Sequence, residues 1–480
     1  MNYSSLRYHL SALVLISSLS LLPPLLLAWW DSDFREFFSF AATFISAVIL
    51  SLCIRFRSSN QDDFLGRREA ILVVILSWII LCVESSVPFL LAGVTTDISS
   101  AFFEATSGLT TTGATILSDV ESLSRSINLW RCLMHWLGGM GIVILFVAVF
   151  PQLGVGAKFL FENESAGPAS ESPMTKIKKS ALSLWWLYAT LTCLCATALK
   201  LSGMDWFDAI CHSFSTLGTG GFSTKNNSIA FFENPLAEWI IILFMFLAAL
   251  NFGLLLSIIR GNPKNLLRNA EAKVFIGLNL LLAIGLAACH FDMSNPFDSL
   301  RSGLFQTLAV STSTGFMTQD FDSYPNIFRF IILIYMFIGG CAGSTAGGLK
   351  VIRITSLISL LRREVHLASR PKDVLPLRLG GRVVSAPMII EILLYICVFG
   401  LIVLIASGLL VSAGYSSESA FSAALACISS IGPGLNEFGP TQNFGHAPPW
   451  IKTILSFCMI AGRLEILILF APFTRSFWRR

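Results

Sequence analysis

The segment Thr110-Thr111-Thr112-Gly113-Ala114 ends a short, half-apolar stretch that lies between two long apolar stretches. Three similar polar segments with a glycine follow in the same context, one in each later quarter of the chain: Gly218-Thr219-Gly220-Gly221-Phe222, Ser313-Thr314-Gly315-Phe316 and Ser429-Ser430-Ile431-Gly432-Pro433. A single copy would be an ordinary turn between membrane helices, because Gly, Ser and Thr are common turn residues. Four copies in matched positions favour a shared function.

An ion filter with four-fold geometry on a single chain requires one such loop in each quarter. A dehydrated cation needs a ring of oxygen ligands, which backbone carbonyl groups can form. Glycine allows the φ values that aim these carbonyl groups inward. The four segments therefore predict a cation filter, with Gly113, Gly220, Gly315 and Gly432 as its glycines.

The composition indicates a helical integral membrane protein. Hydrophobic residues make up 54% of the 480-residue chain and charged residues only 13%, with a mean hydropathy of +0.71, whereas soluble proteins contain about 25% charged residues. The apolar segments are continuous rather than alternating, which favours helices over a β-barrel. The 11 cysteines and six histidines are scattered, so buried packing positions are a better interpretation than metal ligands or disulfides.

About ten transmembrane helices are predicted, since a spanning helix needs about 20 apolar residues. The candidates are 10–30, 37–53, 70–93, 128–150, 181–201, 236–259, 274–290, 327–340, 388–411 and 450–473. The eighth candidate is short and enters the glycine-rich run 339–348, which cannot form a stable helix. Non-helical backbone at membrane depth is tolerated only where it is buried in protein or lines water.

The distribution of Lys and Arg predicts the orientation. Arg7 and the segments 55–68, 158–179, 260–273, 350–382 and 475–480 hold 24 of the 33 basic residues. The positive-inside rule then places both termini in the cytoplasm and the four glycine-containing loops on the outer side. Four loops that meet in one filter must enter from the same face, and this orientation satisfies that requirement.

The fold class predicted is all-α, with two N-terminal helices and four units of helix, short re-entrant helix, loop and helix. The predicted boundaries are 1–68 for the N-terminal helices and 69–179, 180–272, 273–386 and 387–480 for the four units. The short helices are expected at 98–109, 205–215, 296–310 and 418–427. Each begins near a capping residue: Asp97, Asp205, Asn295 or Glu418.

Acidic residues near helix N-termini are usually caps. Further acids follow the filter loops, where they would form an acidic outer mouth that concentrates cations. These residues are Asp119, Glu121, Asp320, Asp322 and Glu437.

Several longer motifs show a family resemblance that covers nearly the whole chain. They include residues 106–115, the run His135-Trp136-Leu137-Gly138-Gly139-Met140-Gly141, residues 217–224, residues 312–316, residues 339–350 and Gly462-Arg463-Leu464-Glu465. In this order, and with two extra N-terminal helices, the chain resembles the membrane subunit of the bacterial Trk-type potassium-uptake systems, within the Trk/Ktr/HKT superfamily.

The resemblance implies four membrane-pore-membrane repeats around one pseudo-four-fold pore, in a homodimer in the bacterial inner membrane. It implies K⁺ uptake, with Rb⁺ as a possible substitute and less passage of Na⁺, and no covalent cofactor. The nucleotide, ATP, ADP or NAD, is expected on a cytoplasmic TrkA-like regulatory ring. The lipid bilayer is the other expected partner, and no nucleic acid is expected.

Carried over to this chain, the resemblance assigns potassium-binding filter residues. They are Thr111, Thr112, Gly113, Gly218, Thr219, Gly220, Ser313, Thr314, Gly315, Ser430, Ile431 and Gly432. In plant relatives a serine at the first filter position accompanies a sodium preference, so Gly113 favours potassium. The fourth filter, Ser430-Ile431-Gly432-Pro433-Gly434, lacks the threonine found in the others, which leaves the strictness of selection open.

An intramembrane gate is also predicted, because the resembling family uses the glycine-rich loop in this way. Its residues are Gly340, Gly343, Ser344, Thr345, Gly347, Gly348 and Arg463. Charges inside a membrane are costly and normally have partners. Arg463 and Glu465 are two residues apart and cannot face each other on one helix, so Arg463 is expected to meet the loop and Glu465 a different neighbour. Alternatively, Arg463 only satisfies loop carbonyl groups and links two units.

Three other charged residues lie just past the glycine-rich loop or in the first short helix. Lys350 and Arg353 are interpreted as positive-inside anchors. Glu104 is expected either to bond the backbone of its own filter or to face an aqueous cavity.

The main alternative to a gated pore is a potassium symporter coupled to Na⁺ or H⁺, since such proteins often contain broken helices. A non-transporting sensor or scaffold would leave the four matched loops unexplained. The sequence contains no nucleophile-base constellation, metal cluster or nucleotide loop that would indicate an enzyme.

Overall fold

The computed structural model describes residues 1–56, 66–148, 173–289, 295–373, 375–379, 382–383 and 386–479. Apart from an antiparallel hairpin of two-residue strands, Arg378–Leu379 with Arg382–Val383, the regular structure of these residues is helical. The predicted all-α class is confirmed. The ends of two predicted spans, at 149–150 and 290, and most of the basic segments 55–68 and 158–179 lie outside the described residues.

The long helices are Tyr3–Ser18 with Leu22–Trp30, Phe34–Arg55, Arg67–Leu91, Arg125–Ala148, Pro173–Leu201, Ala270–Cys289 and Ala386–Ser412. The shorter ones are Pro235–Ala249, Phe252–Ile259, Lys264–Arg268, Asn326–Ile338, Val351–Ser369, Pro449–Arg463, Ile466–Phe470 and Arg475–Trp478. Turns of 3₁₀ helix occur at Leu19–Leu21, Ser228–Phe232, Phe321–Ser323, Asn436–Phe438 and Ala471–Phe473.

Six helices of the described chain are long and apolar enough to cross a membrane, and eight segments are if each of two bent pairs counts as one. The bilayer explains their exposed side chains. Ile45, Leu281 and Leu404 are 56%, 70% and 64% exposed, which would be unfavourable in water. In the apolar 18-residue stretch of Pro387–Ser412, only 17% of the residues are buried inside the protein. The chain is a multi-pass membrane protein.

Two spans that were predicted as continuous are broken helices instead. Pro235–Ala249 and Phe252–Ile259 are bent by 105°, and Pro449–Arg463 and Ile466–Phe473 by 113°. The third break is the glycine-rich loop, which begins where Asn326–Ile338 ends and leads into Val351–Ser369. Hydropathy alone does not show such breaks, because both halves are apolar.

Four short helices lie between the long ones, close to their predicted positions: Ile98–Leu109, Trp206–Gly218, Pro296–Ser311 and Ser417–Ile428. The side chains of Asp97 and Asp205 accept hydrogen bonds from the first backbone N–H groups of their helices, as predicted. Ser416 caps the fourth helix in place of Glu418, and Asn295 makes no side-chain cap on the third. The last two turns of each short helix are almost entirely buried.

Each short helix contacts the helices that flank it and one helix from another quarter of the chain. These contacts link the four quarters in a cycle, in which the fourth quarter precedes the first. The helix from the preceding quarter is Pro449–Arg463 for the first short helix, Arg125–Ala148 for the second, Pro235–Ala249 for the third and Asn326–Ile338 for the fourth. Small residues allow this close packing. An added Cβ at Gly138 would lie 1.9 Å from the carbonyl oxygen of Leu109, and one at Gly462 would lie 1.8 Å from that of Ile428.

The break after Ala249 depends on Asn251. Its Oδ1 accepts a hydrogen bond from Leu254 N, and its Nδ2 donates to the carbonyl oxygen of Ala342 at 2.7 Å. We expect Asn251→Ala to lower the free energy of unfolding by about 2 kcal/mol, because it removes a helix cap and leaves a buried carbonyl unpaired. Thermal unfolding in detergent would measure this. Asn227→Ala, at an exposed position, is the control, and equal melting temperatures for both variants would contradict the assignment.

Candidate functional site

Each short helix ends in the same turn. The residue at its left-handed position is Thr111, Thr219, Ser313 or Ser430, with φ of 55°, 53°, 54° and 55°. In the first turn, Thr111 N donates to the carbonyl oxygen of Gly108 and Thr112 N to that of Ser107. The same two bonds recur in the other three turns. This pairing is the Schellman motif, which satisfies carbonyl groups that the helix end leaves unpaired.

These turns place a hydroxyl residue where glycine is usual. A left-handed conformation costs a residue with a Cβ roughly 1–2 kcal/mol, and it is especially unfavourable for a β-branched side chain such as threonine. The four turns nevertheless retain Thr or Ser there. Strained backbone of this kind is concentrated at functional sites, so the shared conformation marks the four turns as one candidate site.

Two residues after each left-handed residue lies a glycine with positive φ. These glycines are Gly113, Gly221, Gly315 and Gly432, with φ of 79°, 81°, 73° and 97°. Gly220 was predicted as the glycine equivalent to Gly113, but the structure gives that position to Gly221. Gly220 instead aligns with Thr112, Thr314 and Ile431. The sequence offered two adjacent glycines, and the shared φ pattern decides between them.

The four turns close into a ring through these glycines. An added Cβ at Gly113 would lie 1.9 Å from the carbonyl oxygen of Gly220. The corresponding distances are 2.1 Å from Gly221 to Thr314 O, 2.0 Å from Gly315 to Ile431 O and 2.6 Å from Gly432 to Thr112 O. The glycine of each turn therefore lies against a carbonyl group of the following turn, and the glycine of the fourth turn lies against a carbonyl group of the first. Any side chain at these positions would separate neighbouring turns.

Several hydroxyl groups at this ring have no hydrogen-bond partner among the described residues. They are Thr111 Oγ1, Ser430 Oγ and Ser429 Oγ in the turns, and Thr106 Oγ1, Ser107 Oγ and Thr307 Oγ1 near the helix ends. Thr219 Oγ1 and Ser313 Oγ donate to the preceding carbonyl oxygens at 2.7 Å. Buried polar groups without partners are uncommon and call for an explanation such as an ion or water.

A polar side chain on each short helix holds the segment that follows its turn. Glu104 accepts a hydrogen bond from Ile116 N at 2.9 Å, and His212 Nε2 lies 2.9 Å from Ser223 Oγ. Gln306 Nε2 donates to the carbonyl oxygen of Gln319, and Ser422 Oγ accepts from Leu435 N. Glu104 thus bonds its own filter segment, the first of the two predicted options. Glu104 also forms an ion pair with Arg131, which was not predicted from the sequence.

The glycine-rich loop contacts the ring directly. Gly347 N donates to Ser313 Oγ at 2.5 Å, and an added Cβ at Gly347 would lie 2.2 Å from the carbonyl oxygen of Ser429. Ser344 and Thr345 are fully buried, and Gly340, Gly343 and Gly348 lie in the same loop. The loop that holds the predicted gate residues therefore contacts the third and fourth turns through Gly347.

Partners from two other helices satisfy the backbone of the loop. Cys341 N and Thr345 N donate to the carbonyl oxygens of Ala249 and Ala248, at the break between Pro235–Ala249 and Phe252–Ile259. The carboxylate of Glu271 accepts from Ala342 N at 2.8 Å. These bonds meet the requirement that non-helical backbone at membrane depth be paired within the protein.

Lys350 and Arg353, which were interpreted as positive-inside anchors, have partners inside the protein. Lys350 is 7% exposed, and its Nζ donates to the carbonyl oxygen of Ala346. Arg353 forms a 2.5 Å ion pair with Glu465 and lies 3.8 Å from the ring centroid of Tyr395. Both cations belong to the packing around the loop.

Arg463 meets the loop, as expected. It is 3% exposed and donates to the carbonyl oxygen of Thr345 at 2.8 Å and to that of Gly138 at 2.9 Å. It thus joins the last quarter of the chain to the first quarter and to the loop. Glu465 has a different neighbour, as predicted, but for another reason: the helix ends at Arg463, and Glu465 lies in the break with φ of 62°.

The acidic residues after the turns form contacts between neighbouring segments. Asp119 accepts from Asn226 Nδ2 at 2.9 Å, and this bond lowers the pKa of its carboxyl group. Asp322 accepts from Asn436 N, and burial raises its pKa. A hydrogen bond from Ser419 lowers the pKa of Glu437. Asp119 and Asp322 thus link neighbouring segments, and the acidic outer mouth stays a prediction.

Comparison with known proteins assigns the family. The TrkH family, described as "Cation transport protein", matches residues 36–476. The chain is 35% identical to "Trk system potassium uptake protein TrkH" from Vibrio parahaemolyticus, over the full length of both proteins.

The chain belongs to the TrkH family of cation transport proteins. The Escherichia coli TrkH protein is 36% identical, with 92% of each chain covered, and Escherichia coli TrkG is 32% identical, with 97% covered. The structure titled "Crystal Structure of the Potassium Transporter TrkH from Vibrio parahaemolyticus" superposes with a TM-score of 0.91 at 34% identity and covers 100% of both chains. The TrkH family is a family of transporters rather than of enzymes.

The ring geometry predicts different costs for two glycine substitutions. At Gly203, with φ of 107°, an added Cβ meets no heavy atom of the described residues within 4 Å, so Gly203→Ala has only the conformational cost, about 1–2 kcal/mol. Gly221→Ala has that cost and also displaces the carbonyl group of Thr314. We expect ion flux in proteoliposomes to fall at least tenfold for Gly221→Ala and to change less than twofold for Gly203→Ala. Equal flux from both variants would show that the close approach is unimportant.

Proposed function

We propose that this chain takes up K⁺ across the bacterial inner membrane, through a selectivity filter of backbone carbonyl groups at the ring of four turns. The observation that carries the proposal is the closure of the ring, in which the glycine of every turn lies against a carbonyl group of the following turn. Such an arrangement replaces the hydration shell of a cation with fixed oxygen ligands. The unpartnered hydroxyl groups of Thr111 and Ser430 would supply further oxygen ligands.

The proposed filter residues remain those predicted, with Gly221 added at the position of the second filter glycine. They come from four proposed repeats with boundaries at 69, 180, 273 and 387, after two N-terminal helices. The identity of the cation rests on the names of the relatives, which are potassium uptake proteins, and on the glycine at position 113. The four turns meet in one ring, which supports passage down the electrochemical gradient rather than symport with Na⁺ or H⁺.

The glycine-rich loop is the proposed gate. Gly347 N–H approaches Ser313 Oγ, and the positive end of an N–H dipole beside a filter hydroxyl disfavours a cation at that oxygen. Arg463 adds a buried positive charge that bonds the loop at Thr345. A closed loop would therefore oppose cation passage by both its backbone and its charge. Its opening would be controlled by a cytoplasmic TrkA-like nucleotide-binding ring, and the chain would act as a homodimer with both termini in the cytoplasm.

Ion flux into proteoliposomes that contain this chain alone tests the filter. We expect downhill flux of K⁺ and Rb⁺ and little flux of Na⁺. Gly113→Ser should lose this preference, because its Cβ would displace the carbonyl oxygen of Gly220. Flux that requires an imposed Na⁺ or H⁺ gradient would instead establish symport and overturn the pore mechanism.

Removal of the loop contacts tests the gate. Deletion of residues 343–347, or Arg463→Ala, is expected to raise K⁺ flux severalfold in the absence of any regulator, since the deletion removes the contact of the loop with Ser313 and the substitution removes the bond from Arg463 to Thr345. Arg362→Ala, at an exposed position on Val351–Ser369, is the charge-matched control. Folded variants, checked by size-exclusion chromatography, with unchanged flux and unchanged regulation would count against the gate.

A further inference from the structure

A buried ion pair lies behind the first two turns. Glu104 Oε1 and Arg131 Nε are 2.9 Å apart, and their side chains are 1% and 2% exposed. Glu104 belongs to the first short helix and Arg131 to Arg125–Ala148, the helix that also packs against the second short helix. The pair therefore lies where the first and second quarters of the chain meet.

The two side chains bond the segments that leave both turns. Glu104 accepts hydrogen bonds from Ile116 N and from Thr115 Oγ1, both at 2.9 Å. Arg131 donates to the carbonyl oxygen of Ser223 at 3.3 Å and lies 4.2 Å from the ring centroid of Phe222. Phe222 directly follows Gly221 of the ring, and Thr115 lies two residues after Gly113. Displacement of either charged group would consequently displace the adjacent turn.

The corresponding positions in the other three quarters carry uncharged hydrogen-bonding side chains or a buried histidine. His212, Gln306 and Ser422 hold the segments after the second, third and fourth turns. A hydrogen bond is therefore sufficient to attach such a segment to its own short helix. The ion pair also connects two segments, because Glu104 bonds the segment after the first turn and Arg131 bonds the segment after the second.

We propose that Glu104 and Arg131 act as a positioning pair that sets the distance between the first and second filter segments and thereby the preference for K⁺ over Na⁺. This inference rests on the proposed filter. The pair has no net charge, so it does not act by attracting cations. It acts through geometry: discrimination between two ions of equal charge depends on how the oxygen ligands are placed and held.

The double substitution Glu104→Gln/Arg131→Gln is the decisive variant. Replacement of both partners leaves no buried charge without a counter-ion, and buried ion pairs are often replaced by neutral residues without loss of stability. The two introduced amide side chains would still offer hydrogen bonds but could not hold the two segments ionically. We expect the ratio of K⁺ to Na⁺ flux in proteoliposomes to fall at least fivefold, with K⁺ flux retained and the melting temperature within a few degrees of wild type.

Three comparisons make the result interpretable. Arg125→Gln removes an ion pair of the helix that carries Arg131, 3.1 Å from Asp31, and should leave the flux ratio unchanged. Each single variant, Glu104→Gln and Arg131→Gln, should lower the ratio, and the two effects should not add if the residues act as one unit. A folded double variant with the wild-type ratio would overturn the positioning role. Absence of K⁺ preference in the wild-type chain would refute the proposed filter itself.

Discussion

The requirement that backbone polar groups be paired inside a membrane governs this structure. Water is absent from the bilayer core, so a chain that leaves the helical conformation there must find partners within the protein. The turns after the short helices meet the requirement with Schellman bonds to their own helices. The glycine-rich loop meets it with Ala248, Ala249, Glu271 and Arg463, which come from three other elements. Each interruption of a helix thus links distant parts of the chain.

The same requirement explains why the ring and the loop are physically connected. Gly347 satisfies its backbone N–H with Ser313, a residue of the third turn, and Arg463 bonds both the loop and Gly138 beside the first short helix. A movement of the loop must therefore break contacts with the ring and with two quarters of the chain. The broken helices at Asn251 and Glu465 supply the remaining partners, and this is why two of the predicted spans are not straight.

Much of the fold was predictable because the signals are local. The first short helix was predicted at its observed bounds, since Asp97 is a strong cap and the Thr-Thr-Thr-Gly segment ends it. The interruption at residue 339 followed from glycine content. The register of the second turn was not predictable, because adjacent Gly220 and Gly221 are equally suitable until φ values are known. The contact of Lys350 was not predictable for a similar reason: a basic residue after an apolar stretch is typical of a positive-inside anchor, and only the fold shows its bond to Ala346.

The sequence by itself determined the membrane class, the helical spans and the four polar turns, because hydropathy, capping and glycine content act over a few neighbouring residues. Only the tertiary structure decided which carbonyl group meets which glycine, where the spans bend, and that Glu104 pairs with Arg131. These features join residues from about 25 to more than 300 positions apart. Their partners are selected by close packing in three dimensions, and no local pattern of residues records that choice.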